Sequence, residues 1–185
     1  MNGFSQNIFR AAIFGIVLIL TTTGGDAYAQ RSAFVMSAIE NEAAGDEILA
    51  GDYAGAADLL SEGAKLDGDA FSKANNLCVA LTLGGQIDDA ERQCNEALYH
   101  SRIHRRSIES RVDVLRFRAV ALSNRGVLKA ISGDLDGAEQ DFEQAAKISS
   151  RLQNAALNLE HLRDLRQRLT ASTTSKYHPV VVVRD

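Results

Sequence analysis

Two residue pairs in this 185-residue chain have types and spacings suited to covalent or metal chemistry. Cys78 and Cys94 are the only cysteines. Cys78 lies seven residues before Gly85 and Cys94 nine after it. If Gly85 turns a helical hairpin, the two thiols stand at nearly the same height on facing helices, each on the inward side. Two readings fit that position. One is a disulfide pinning the hairpin, which contributes roughly 3 kcal/mol by closing the loop between the two residues. The other is a pair of buried thiols acting as small hydrophobes. His100 and His104 are four apart and share one side of a continuous helix, the spacing that begins many zinc sites. No third ligand stands near them, so no metal is expected. His161 and His178 are isolated. The chain contains no serine nucleophile elbow, no phosphate-cradling glycine loop and no His-Glu-x-x-His. Asp88, Asp89 and Asp134 fall where helices begin, and there carboxylates cap free N–H groups and favour the helix dipole. No cofactor and no catalysis are expected.

The elements that carry these residues are helical. Hydrophobic residues make up 45%, charged residues 24%, and Pro179 is the only proline. Aromatics are only 6% and Trp is absent, so a core of Ala, Leu, Ile and Val packed by close helix approach is expected. Three stretches share one design. Gly51-Asp52-Tyr53 leads to Ala56, Leu60 and Gly63; Gly85-Gln86-Ile87 leads to Ala90, Cys94 and Ala97; Gly133-Asp134-Leu135 leads to Ala138, Phe142 and Ala145. In each, a glycine turn precedes small or apolar residues recurring at helical spacing on one face. Gly51 and Gly85 are 34 residues apart, and Gly85 and Gly133 are 48 apart, which is the same interval plus 14. A helix-turn-helix unit of 34 residues is a solenoid period.

In the second unit Ala74, Leu77, Cys78 and Leu81 precede the glycine turn; in the third they are Leu122, Arg125, Gly126 and Lys129; in the first, Glu40, Ala43, Ala44 and Glu47. With this period and these positions, the chain resembles the tetratricopeptide repeat family over about residues 37–150. The first unit is the weakest. Arg125 and Lys129 are polar at places usually apolar, and Gly68, Arg102 and Ser150 stand where the family has its closing proline. The resemblance implies an all-α solenoid of about three repeats, at 37–68, 71–104 and 119–152, within a helical domain over 31–170. It also implies a concave face lined by the first helix of each pair, made here of Asn41, Asn75, Val79, Thr82, Leu83, Ser123, Val127, Ala130 and Ile131, with Ile48 from the first unit. Asn side chains on such a face can bond an extended backbone through both donor and acceptor. The implied function is non-catalytic binding of a protein or peptide.

Residues 31–50 read as one helix with an imperfect apolar side of Phe34, Ile39, Ala43 and Ile48. The insert 105–118 continues the stripe Ile108, Val112, Leu115, Ala119, Leu122. It reads either as four further turns of the third unit's first helix, about 21 Å, or as a short helix of its own. Residues 153–169 read as a terminal helix that covers the last repeat. The tail, 171–185, carries Val180-Val181-Val182-Val183 and reads as extended.

At the other end, Arg10 is followed by the apolar run Ala11–Leu20, polar Thr21–Asp26 and then Ala27-Tyr28-Ala29. That order is a secretory signal over 1–29, with cleavage expected between Ala29 and Gln30. The run is half the ~20 residues a membrane span needs, although an uncleaved signal acting as an anchor is the alternative. The mature chain is therefore expected in the periplasm or outside the cell, and nucleic acid is not an expected partner. Residues 30–100 hold 4 basic against 13 acidic residues, and 101–185 hold 15 against 10. This asymmetry favours either solvated helix faces, head-to-tail homo-oligomer contacts, or contact of Arg102, Arg105, Arg106 and Arg111 with an anionic surface.

Overall fold

The computed structural model describes residues 34–40, 42–62, 69–103 and 111–172, and these form seven helices and one extended arm. The helices are α1 (Gly45–Ala50), α2 (Tyr53–Glu62), α3 (Ala70–Leu83), α4 (Ile87–Ile103), α5 (Arg111–Ile131), α6 (Leu135–Ile148) and α7 (Gln153–Ser172). The molecule is all-α. Each helix from α1 to α4 packs on the next, as do α4 to α7, and α1 with α3, α3 with α5 and α5 with α7 also touch.

The turns explain the element boundaries. Gly51, Gly85 and Gly133 have φ of 81°, 78° and 91°. In that left-handed region a side chain costs roughly 1–2 kcal/mol, and glycine ends the preceding helix at little cost. Asp69 caps α3 by accepting from the Phe71 and Ser72 N–H groups, and Asp134 caps α6 by accepting from Gly137.

The inward faces read from the sequence are the buried ones. Ala56, Leu60, Ala90, Cys94, Ala97, Ala138, Phe142 and Ala145 are all buried, as are Ala74, Leu77, Cys78, Leu81 and Leu122. Small residues at these crossings let helices approach closely, as the lack of Trp implies. Arg125 and Lys129, polar at usually apolar places, have a local cause. Both reach Asp141 of α6, which is 2% exposed; Arg125 grips it through Nε and Nη2 at 2.8 and 2.7 Å, and Lys129 Nζ lies 3.0 Å away.

Two expectations need correction. Residues 31–50 are not one helix: among the described residues of that span 34–39 lie outside any helix and Gly45–Ala50 alone are helical. The repeat over 37–68 therefore lacks most of its first helix. The physical reason lies in the partners of that backbone, described below, and in Ala44, which at φ 60° interrupts any helix entering from the arm. The terminal helix runs to Ser172 rather than 169. It buries Ala155, Asn158, His161 and Leu162, while Ala156 and Leu169 face solvent. Its Arg163 and Arg166 pair with Asp136, Glu139 and Glu143 of α6. From residue 111 onward the insert is continuous with α5. The segment expected to be a signal, with Ala29 and Gln30, together with Asn41, His104, Arg105, Arg106 and the valine tail, lies outside the described residues. Among the described residues no helix is long and apolar enough to cross a membrane.

Candidate functional site

The site is built from asparagine. Asn75 and Asn76 on α3, Asn124 on α5 and Asn158 on α7 are all fully buried. Burying a carboxamide is costly unless every polar atom is bonded, and here the bonds go to the arm. Asn158 Oδ1 accepts from the Val35 N–H at 2.8 Å, and its Nδ2 donates to the Val35 carbonyl at 2.8 Å. Asn124 does the same to Ser37, at 2.8 and 2.9 Å. Asn76 does the same to Ile39, at 2.8 and 3.0 Å, and donates also to the Ala43 carbonyl. Each side-chain amide thus behaves as the neighbouring peptide unit of a β-ladder would. Asn75 ties the set together: its Nδ2 donates to the Ser37 carbonyl and its Oδ1 accepts from Asn124.

The geometry of this ladder follows from two periods. An extended chain advances about 6.6 Å in two residues, and packed helix axes stand about 8–10 Å apart. One asparagine from every second helix meets every second residue of the arm. Asn76, Asn124 and Asn158 are 48 and 34 residues apart, the intervals of the glycine turns. The arm crosses them in reverse chain order, residue 39 at α3, 37 at α5 and 35 at α7.

Side chains of the arm fill three places. Phe34, 1% exposed, enters the cluster of Val127, Ala130, Ala138, Phe142 and Leu162. Its ring lies 6.0 Å from that of Phe142 and meets His161 edge-on at 4.6 Å. The Ser37 hydroxyl accepts from Asn154 Nδ2 at 3.0 Å. Ile39 joins the cluster of Phe71 and Ala74. Val35, Met36 and Ala38 are half-buried.

The sequence-predicted face is divided by this arrangement. Asn75 contacts the arm, and Ser123 supports it by accepting from Asn158 Nδ2 at 3.3 Å. Val127 and Ala130, with Ile131 at the margin, form the wall of the Phe34 pocket. Val79 and, at its edge, Leu83 belong to the cluster of α1 to α4 with Leu128 of α5, together with Ile48, and Met36 and Ala38 of the arm pack against it. The Thr82 hydroxyl is used up within α3, donating to the Cys78 carbonyl. The sequence reading missed Asn76, Asn124, Asn154 and Asn158. The signal was present: Asn76, Asn124 and Asn158 repeat at the turn period, one residue after the register of Asn75 and Ser123.

Away from the arm, the Cys78 and Cys94 Sγ atoms are at disulfide distance, 2.04 Å, joining α3 to α4. His100 Nε2 lies 3.6 Å from Glu96, with its ring against Tyr99. Arg102 is exposed at the end of α4. Comparisons with protein-family models, with curated proteins and with solved structures find no match to this chain, so its own residues must carry any functional reading.

Proposed function

We infer that this chain is an exported, non-catalytic scaffold of tetratricopeptide kind that binds an extended protein segment across α3, α5 and α7. One observation carries the reading: three buried asparagines at the turn period bond, in both directions, to alternate residues of an extended backbone. Bonds to main chain are indifferent to side-chain identity, and strand-like capture of a peptide is a general recognition mode. The recurrence of the same residue at 48 and 34 positions supports the repeat reading, with α7 continuing the period as the first helix of a further unit. The paired Cys78 and Cys94 support export, because disulfides persist in oxidising compartments.

The test is selection of linear peptides displayed against the full chain carrying Ser37→Pro. That substitution removes the N–H that Asn124 accepts and so weakens the resident arm. Peptides enriched on this chain, and lost when Asn124→Ala and Asn158→Ala are added to a chain of unchanged helicity, are the expected outcome. Equal enrichment with and without the asparagines rejects the site.

A further inference from the structure

Under the seated arm the carboxamides are buried and matched, and a segment that takes the same bonds has to take the arm's place, so entry of one requires departure of the other. The arm is suited to depart. It reaches α1 through one short turn, closed by Glu42 N–H to Ile39 carbonyl and Gly45 N–H to Glu42 carbonyl bonds. Its removal breaks no helix–helix contact, because α1 stays packed on α2 and α3. Residues 34–39 carry no charge, so no ion pair holds them.

We propose that residues 34–39 are a resident stand-in for a segment of another protein, and that the partner binds by displacing them. This rests on the peptide-binding reading and adds the partner's chemistry. The segment it would bring is uncharged and extended, and runs in the direction of the arm. It carries an aromatic residue for the pocket lined by Phe142, His161 and Leu162. Three positions on comes a serine for Asn154, and two further on a branched aliphatic residue against Phe71 and Ala74. Of the intervening positions, the first is read through its backbone by Asn158, and the other two, Met36 and Ala38 in the arm, bring apolar side chains that pack half-buried against the core.

A tethered arm competes at an effective concentration on the order of millimolar, and apparent affinity falls by the fraction of time the site is held. The experiment titrates a fluorescent synthetic peptide of residues 32–41 into the full chain, wild type and Ser37→Pro, with Phe34→Ala as the second arm-weakened variant should the proline prevent folding. Binding to the arm-weakened chain at least about tenfold tighter than to wild type is expected. A scrambled peptide, and a peptide with Ala at the aromatic position, should bind at least about tenfold less well than the native one. Equal, tight binding to wild type and variant leaves a peptide site but overturns the arm as its competitor. Binding to neither chain, with helicity intact, overturns both readings. Light scattering is run on the same samples. A wild-type dimer that becomes monomeric with Ser37→Pro assigns the occupant to a second copy and overturns the partner assignment.

Discussion

Asn124 is the residue on which the arm most depends. It bonds both backbone polar groups of Ser37 and also Asn75 Oδ1. Asn124→Ala strips the partner from the Ser37 N–H and from Asn75 Oδ1 at zero exposure, so a loss of about 2–3 kcal/mol is expected from the urea midpoint. Gln140→Ala, on the exposed side of α6, should stay within ~0.5 kcal/mol. Asn124→Asp separates shape from chemistry: the side chain keeps its size and its acceptor but has no N–H for the Ser37 carbonyl, and it should be as damaging as alanine. Gly126 gives a second residue-scale prediction with an inverted sign. Alanine in place of glycine inside a helix ordinarily gains up to ~1 kcal/mol. At Gly126 a Cβ would lie 2.5 and 2.7 Å from Phe142 Cε1 and Cδ1. That ring is fully buried and backs the Phe34 pocket. Gly126→Ala should therefore lower stability, by about 1–2 kcal/mol, visible as a reduced thermal midpoint.

At the scale of elements, the glycine turns and the helices they start were legible because their causes are local. Gly133-Asp134 gives a left-handed turn and a capping carboxylate within two residues, and Gly51-Asp52 repeats the device, with Asp52 accepting from Gly55. Asp134→Ala should cost about 1 kcal/mol, read from denaturant unfolding. The buried faces were legible for the same reason, since Ala138, Phe142 and Ala145 recur at the period of the helix that carries them. The arm was not. Phe34, Ile39, Ala43 and Ile48 mimic a ragged helical stripe, with Gly45 its one glycine and no proline in it. What holds 34–39 extended is Asn76, Asn124 and Asn158, 37 to 123 residues away. Local propensity gives way to such long-range bonding. The candidate site was half legible for a related reason. Asn75 and Ser123 mark the right helices, but the two-way partners of the arm sit one residue further along, a distinction that only the arm's position decides. The cysteines gave two readings at equal height on facing helices, and only coordinates separate them. With α3 and α4 joined through Cys78 and Cys94, a mass two hydrogens short is expected without reductant, and a loss of about 3 kcal/mol of stability with it.

At the scale of the molecule, the three clusters of the core are bridged from one end to the other by a six-residue segment, with Met36 packed against two of them. Loss of the arm should be felt throughout, while the helix pairs form without it. Phe34→Ala is expected to speed unfolding with little effect on the folding rate, a pattern that stopped-flow measurements in urea resolve. A slowed folding arm of that plot would instead put Phe34 in the nucleus. The reason is one of chronology. Val35 is among the first described residues to leave the ribosome, yet its partner Asn158 is made 123 residues later. Adjacent helices can pair as they are synthesised, but the arm has to wait, undocked, for the end of the domain. The earliest of the described residues are thus the last to find their place, and an arm that seats only on a finished domain reports that the domain is complete.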